Sequence, residues 1–358
     1  MPFLFPICYT FLVFYRHLLR PIFFLFPADY MHTRFLVLGN LLGRSRLGRT
    51  AVSLAYGYPH GDARVIVDGL AYHSPVMLSA GFDYNARIIS ILPSLGFGGV
   101  EVGSVTARAS AGNKSPQLVR LPRSKSILVN KGLKNDGVDA IIPRILAARI
   151  PDDFVIGVSV ARTNDSAAAD ENEGIADYCY SLKALSKAGA GRYYTLNISC
   201  PNSFTGELFS TPPALDRLLT VVDVLALARP LYVKLPISLP WEDLRLLVDV
   251  IRAHRVAGVI VGNLHKDHAL LAEGERSHGR QGGISGAPCR ETSTELIKKI
   301  RATVAFTIIG CGGVFSPEHA REKLRAGADL IQLITGMIYE GPGLIADIAR
   351  DYANSPLV

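Results

Sequence analysis

From Pro75 onward, short β-branched or glycine-rich runs alternate with longer stretches of helical periodicity. The runs that predict strands are Val76–Ala80, Gly98–Val102, Phe154–Val160, Tyr193–Ile198, Leu231–Leu235, Ala257–Val261, Phe306–Ile309 and Leu330–Leu333. Helical patterns lie between them at Ile175–Ala188, Pro213–Leu227, Trp241–His254, Ser293–Arg301 and Pro317–Ala326, with a last one at Leu344–Tyr352. Eight strands with intervening helices in about 280 residues count out as an α/β fold, a closed (β/α)8 TIM barrel. An open doubly wound sheet is the competitor, but no G-x-G-x-x-G opens a helix after the first strand.

The pattern ahead of the barrel is different. Residues 3–15, FLFPICYTFLVFY, form an uncharged apolar run broken by Pro6; Arg16, His17 and Arg20 interrupt it, and Pro21–Phe26 resumes it. A spanning helix needs about 20 continuous apolar residues. A signal peptide carries its charges before the apolar run, whereas here they follow it. The pattern predicts a segment lying on or in a membrane surface, its basic residues meeting headgroups. A second helix is expected over 28–43, with His32, Phe35, Leu36, Leu38, Leu41 and Leu42 as an apolar stripe and Gly43 as its stop. Two such helices would make a lid with an apolar mouth. Residues 44–74 read as a basic, glycine-rich connection holding a short hairpin around Val65–Tyr72, turned at Asp68-Gly69. The expected organisation is therefore an N-terminal helical segment (1–43), a connection (44–74) and a barrel (75–358).

Composition narrows the class. With 49% hydrophobic and 19% charged residues, the 358-residue chain is rich in core and not disordered. Its net charge of +7 is spread out, and the densest basic stretch, Arg44, Arg46 and Arg49, is short. Without a basic stripe or an aromatic stacking platform, a nucleic-acid role is not expected. Anionic substrates, cofactor phosphates or a lipid surface suit the charge equally. Cys8, Cys179, Cys200, Cys289 and Cys311 are scattered, odd in number and without C-x-x-C spacing. They suit a reducing compartment, with neither a disulfide framework nor a metal site.

A barrel places function where its strands end. Strand four ends in YYTLNISCPNSFT (193–205), where Asn197, Ser199, Cys200 and Asn202 cluster. A thiol between two amides offers groups to orient a ligand and one to exchange a proton. The plainer alternative is a strand end capped by its own amides, with Cys200 as a small buried hydrophobe. Lys234 in strand five is costly unless it meets an anion or an electron-rich group, or snorkels to solvent. Gly312-Gly313 after strand seven and Thr335-Gly336 after strand eight have the form of a phosphate cradle, in which backbone N–H groups approach an anion unobstructed. The loop Gly279–Arg290 offers more bare backbone, suited to a planar cofactor.

Taken together, AGFDYN (80–85), VEVGSVTARASAGN (100–113), KGLKNDGVDA (131–140), LNISCPN (196–202), GGISG (282–286), IIGCGGV (308–314) and IQLITG (331–336) resemble the dihydroorotate dehydrogenase family across residues 75–350. The helical pair and the Gly103–Asn113 segment look like its membrane-associated, quinone-using class. The resemblance implies FMN across the barrel mouth, contacted by Ala80, Gly81, Ser104, Ser159, Asn197, Lys234, Gly262, Ser285, Gly286, Gly312, Gly313, Thr335 and Gly336. It makes Asn197, Asn202 and Asn263 the amides that hold the pyrimidine, with Lys134 and Tyr84 beside them. Cys200 matches the base that removes the C5 proton while hydride leaves C6.

The chain departs from the family's pattern in five places. Cys200 stands where the quinone class has serine and the soluble class has cysteine. Tyr84 replaces the lysine of GFDKN, Lys134 the amide of GFN, and Ser159 a flavin-facing asparagine. Gly262-Asn263-Leu264-His265 stands where TNTT is usual. Tyr84 and Lys134 together would keep one cation for the substrate carboxylate. The function expected is FMN-dependent oxidation of (S)-dihydroorotate to orotate in pyrimidine biosynthesis. Electrons would pass to quinone from a protein held peripherally at the inner membrane of a bacterium or mitochondrion. Two alternatives stand beside it: a related flavin dehydrogenase with a divergent dihydropyrimidine-like substrate or a soluble acceptor (fumarate or NAD), and a non-catalytic flavin-binding barrel.

Overall fold

The computed structural model describes residues 14–58, 63–168, 170–202, 206–276 and 281–355. The expected apolar run over 3–15, Cys8, the end of the Tyr193–Thr205 stretch and the start of the Gly279–Arg290 loop lie largely or wholly outside these residues. A π-helical turn, Tyr15–Leu19, leads into α1 (Arg20–Phe24), α2 (Ala28–Arg44) and α3 (Arg46–Tyr56). The hairpin β1 (Val65–Val67) and β2 (Leu70–Tyr72) precedes β3 (Val76–Leu78) and β4 (Gly99–Val105). A second hairpin, β5 (Leu118–Leu121) and β6 (Ser126–Val129), is followed by α4 (Val138–Leu146). Strands and helices then alternate: β7 (Val155–Val160), α5 (Glu171–Ala188), β8 (Tyr193–Asn197), α6 (Pro212–Asp223), β9 (Leu231–Leu235), α7 (Trp241–Arg252) and β10 (Gly258–Val261). The chain closes with β11 (Gly283–Gly286), α8 (Arg290–Arg301), β12 (Thr307–Cys311), α9 (Pro317–Arg325), β13 (Leu330–Leu333), α10 (Thr335–Glu340) and α11 (Gly343–Asn354).

β3, β4, β7, β8, β9, β10, β12 and β13 form a closed parallel barrel in which each strand pairs with the next and β13 returns to β3. All eight expected strands are present. The strands are buried along almost their whole length, because helices cover them outside and side chains fill them inside. Local chemistry sets the helix ends. Asp170 accepts from the Asn172 and Glu173 N–H groups at the start of α5, and Gly189 ends that helix in the left-handed region. Ser316 caps α9 ahead of Pro317.

Residues 44–74 are more than a connection. Ser45 caps α3 by accepting from Gly48 N–H, giving a helix the sequence did not announce. The hairpin turn is as expected, with Asp68 and Gly69 both at positive φ (49° and 73°). Leu70 and Tyr72 pack with Met77, Val155, Tyr193 and Tyr232, plugging the end of the barrel opposite its mouth. The excursion after β4 is also built: β5 and β6 are joined antiparallel by β11, so part of the expected Gly279–Arg290 loop is a strand.

Gly43 does not stop α2, which runs on to Arg44. A Cβ at Gly39 would lie 2.9 Å from Ile88 Cγ2, and one at Gly43 3.1 Å from Ile91 N. These two glycines let α2 approach the barrel wall. Of the expected stripe, Leu36 is buried, whereas Leu38 and Leu41 are exposed. The π-helical turn and the first residue of α1 are tied to the other side of the mouth. Tyr15 OH donates to Ile338 O (2.7 Å), Arg20 Nη1 to Tyr339 O (3.0 Å), and Arg16 pairs with Glu340 (2.8 Å). Among the described residues, no helix is long and apolar enough to cross a membrane.

Candidate active site

The N-terminal helices roof the carboxyl ends of the strands, and one cavity of about 550 Å³ runs between them. Its floor is polar backbone and side chain from nearly every strand end. Its outer part is an apolar gallery walled by Leu19, Phe23, Met31, Phe35 and Leu42. Every site residue expected from the sequence lines this cavity except Ser159.

Three amides converge at the end of β8. Asn197 donates through Nδ2 to Ser104 Oγ (2.8 Å), while its Oδ1 accepts from Asn263 Nδ2 (3.1 Å). Asn263 also donates to Ser199 Oγ (2.9 Å), which in turn donates to Lys234 O (2.8 Å). Asn202 is held by its own Nδ2 on Val129 O (2.9 Å), and its carbonyl accepts from Asn113 Nδ2 (3.1 Å). The amides therefore sit in fixed orientations. Ser159 is fully buried behind them, its hydroxyl 2.8 Å from Ser104 Oγ. The expectation that Ser159 faces a cofactor is corrected: its short side chain stops at Ser104.

Cys200 follows this cluster. Burial pushes its thiol up to about 11, opposed by a hydrogen bond from the Asn202 backbone and the positive charges of Arg162 and Lys234. Lys234 is buried at 4% exposure, beside Asn197 across the β8–β9 ladder, and Nζ donates to Ser79 Oγ at 3.3 Å. An ammonium with three donors and one hydroxyl partner, facing a cavity, suits an electron-rich ring edge. Ser285 Oγ lies 2.8 Å from Thr335 Oγ1, which joins β11 to the start of α10. Gly312, Gly313 and Gly336 lie alongside, where side chains have no room: a Cβ at Gly336 would meet Val314 O at 1.8 Å. These residues fit a flavin. A long cavity, a bare backbone cradle and a buried cation lie in one continuous space.

The cation near Tyr84 is not the expected one. Lys134 is exposed at the rim, whereas Lys131 Nζ lies 4.2 Å from the centre of the Tyr84 ring. Lys131 also reaches Gly81 O (3.4 Å) and His32 Nδ1 (3.3 Å). His32 Nε2 lies 2.9 Å from Phe82 O, a pure acceptor, so that nitrogen carries the proton and Nδ1 accepts from Lys131. Burial pushes Lys131 down to about 7 and, with Lys131 beside it, His32 down to about 3. Lys131, Ser79 and Asn113 are site residues that sequence reading missed. All three fall inside or beside the motifs that carry the resemblance.

A family model for dihydroorotate dehydrogenase matches residues 63–355. The chain belongs to the dihydroorotate dehydrogenase family. Among curated relatives, the dihydroorotate dehydrogenase (quinone) of Burkholderia multivorans is 36% identical over 319 residues, covering 86% of this chain and 89% of that protein. The enzyme of the same name from Gloeobacter violaceus is 36% identical over 346 residues, covering 94% and 93%. Among solved structures, ligand-free DHODH from Eimeria tenella superposes with a TM-score of 0.73 at 26% identity, covering 86% of this chain and 94% of that one. The same protein in complex with ferulenol gives a TM-score of 0.72 at 25% identity, covering 87% and 91%. Membership of the dihydroorotate dehydrogenase family carries a flavin with it, and the cavity has the shape and donors for one.

Proposed function

We propose that this chain is an FMN-dependent enzyme that oxidises (S)-dihydroorotate to orotate in pyrimidine biosynthesis and passes the electrons to a quinone. The observation that carries this reading is the single cavity, which holds Cys200 and three oriented amides at one end and an apolar gallery at the other. FMN, when bound, would supply the acceptor for the C6 hydride and the store from which a quinone draws the electron pair.

The protein's own groups do the rest. Asn197, Asn202 and Asn263 orient the ring amides of the substrate, and the Asn263–Asn197 hydrogen bond and the hold of Asn202 on Val129 O preset that geometry. Cys200, as thiolate, takes the C5 proton onto Sγ, and the Asn202 N–H stabilises the anion before the transfer. Lys131 replaces the expected Lys134 as the cation for the substrate carboxylate, with Tyr84 and Gly81 holding it in place. Lys234 would hold the flavin ring, and Gly312, Gly313, Thr335 and Gly336 would hold its phosphate. Ala80, Gly81, Ser104, Gly262, Ser285 and Gly286 line the same bed. In the gallery, Arg120 is the donor for a quinone carbonyl, since both His32 nitrogens are engaged by Phe82 O and Lys131. The exposed Leu18, Ile22, Leu25 and Phe26 favour peripheral contact with the membrane from which a quinone would arrive.

A second reading, a divergent dihydropyrimidine-like substrate, is favoured by Leu264 and Tyr84 on the cavity wall. Anaerobic addition of dihydroorotate to the purified protein separates the two. Bleaching of a bound yellow chromophore, identified by mass as FMN, supports the proposal. A flavin that keeps its colour favours the divergent substrate, and colourless protein overturns both.

A further inference from the structure

Lys323 on α9 is fully buried, and no carboxylate lies within ion-pair distance of it among the described residues. Its Nζ donates to Ser293 Oγ (2.9 Å), Thr294 Oγ1 (3.0 Å) and Arg290 O (3.4 Å), all on the first turns of α8. Three neutral acceptors satisfy its protons but not its charge. A buried charge without a counter-ion is costly, and burial accordingly pushes this amine down to about 8.

The surroundings say where that charge acts. Ser293 Oγ, which accepts from Lys323, donates in turn to Cys311 O (2.5 Å), at the end of β12. A Cβ at Gly310 would lie 3.4 Å from Lys323 Cδ, so the strand end lies directly on the lysine stem. Gly312 backs onto Cys289 and Ser293, and a Cβ at Gly313 would meet Arg290 Cβ at 2.4 Å. The amine thus fastens the α8 turn on which the Gly312-Gly313 loop rests, and it lies beneath that loop on the side away from the cavity.

Building on the FMN reading, we propose that Lys323 is the positioning residue of the phosphate cradle. It supplies the buried positive charge that the bare backbone lacks and makes this chain favour a phosphorylated flavin over an unphosphorylated one. A phosphate monoester is close to a dianion at neutral pH, and an uncompensated cation in a low-dielectric wall acts on it strongly. The groups that face the amine are Cys311, Cys289, Glu322 and Arg290. Burial holds the Cys289 thiol up at about 12.

The test compares binding of FMN and riboflavin to flavin-stripped protein, read by quenching of flavin fluorescence. Lys323→Met is expected to weaken FMN by roughly 10- to 100-fold and to leave riboflavin unchanged. An unchanged FMN-to-riboflavin ratio overturns the proposal. Should the variant fail to fold, the wild type and Cys311→Ser decide through pH. The folded amine is lowered, so the phosphate preference should be full below about pH 8 and fall at least about tenfold by pH 10 in both. A flat ratio overturns the proposal. Wild-type protein that binds neither flavin overturns the FMN reading itself, and this inference with it.

Discussion

Raising the pH should accelerate flavin reduction by dihydroorotate, and Cys200 should be the cause. Burial lifts this thiol from its ordinary 9.0 to about 11. At about pH 7 the reactive thiolate is then roughly one molecule in 10⁴, against about one in 10² for an unperturbed thiol. The two-unit rise corresponds to about 2.7 kcal/mol against the charged form. Part of that loss returns as basicity: with a Brønsted coefficient near ~0.5, a base stronger by two units recovers about tenfold. The rate constant of reduction should therefore climb about tenfold per pH unit from about 7 to 10 and level off only near 11. Cys200→Ala should keep its flavin, lose the slope and fall by at least roughly 100-fold. The assay is anaerobic stopped-flow, following loss of flavin colour at saturating dihydroorotate. A flat wild-type profile, or a Cys200→Ala rate equal to wild type, refutes the assignment of Cys200 as the base.

Two further predictions follow from other parts of the cavity. Lys131→Met should raise KM for dihydroorotate by roughly 10- to 100-fold, as for a lost charge-assisted hydrogen bond, while Lys134→Met changes it little. Because burial lowers the Lys131 amine to about 7, wild-type KM should also rise as pH increases through that value; equal effects of the two variants would contradict this. Gly262→Ala would place a Cβ 1.6 Å from Cγ2 of Ile237, which is 1% exposed and has nowhere to move. It should destabilise the fold by about 1–3 kcal/mol, read as a lower Tm and loss of bound flavin. An unchanged Tm would show that the wall between β9 and β10 yields.

The barrel was legible because its strands are short β-branched or glycine-rich runs, and the site because its amides, glycines and Lys234 fall at strand ends. What escaped the sequence lacks such signals. α3 contains Gly48, Thr50 and Val52, poor helix formers, and owes its place to the Ser45 cap and to packing. β5 and β6 are four residues each, too short for an alternation to register. Lys131 enters the site because β6 ends beside Tyr84 and α2, a tertiary juxtaposition that no spacing encodes. Ser159 sat at an expected position with a side chain too short to reach past Ser104. Lys323 is one of several basic residues on its helix, and only the fold buries it.

The proposed function requires one cavity to serve dihydroorotate at its amide end and a quinone at its apolar end. A double-mixing stopped-flow experiment tests it most directly: dihydroorotate first, until the flavin is reduced, then a short-chain quinone, fumarate or NAD. Rapid return of flavin colour is expected with the quinone, and none on that timescale with fumarate or NAD. Reoxidation by either soluble acceptor at the quinone's rate would contradict it.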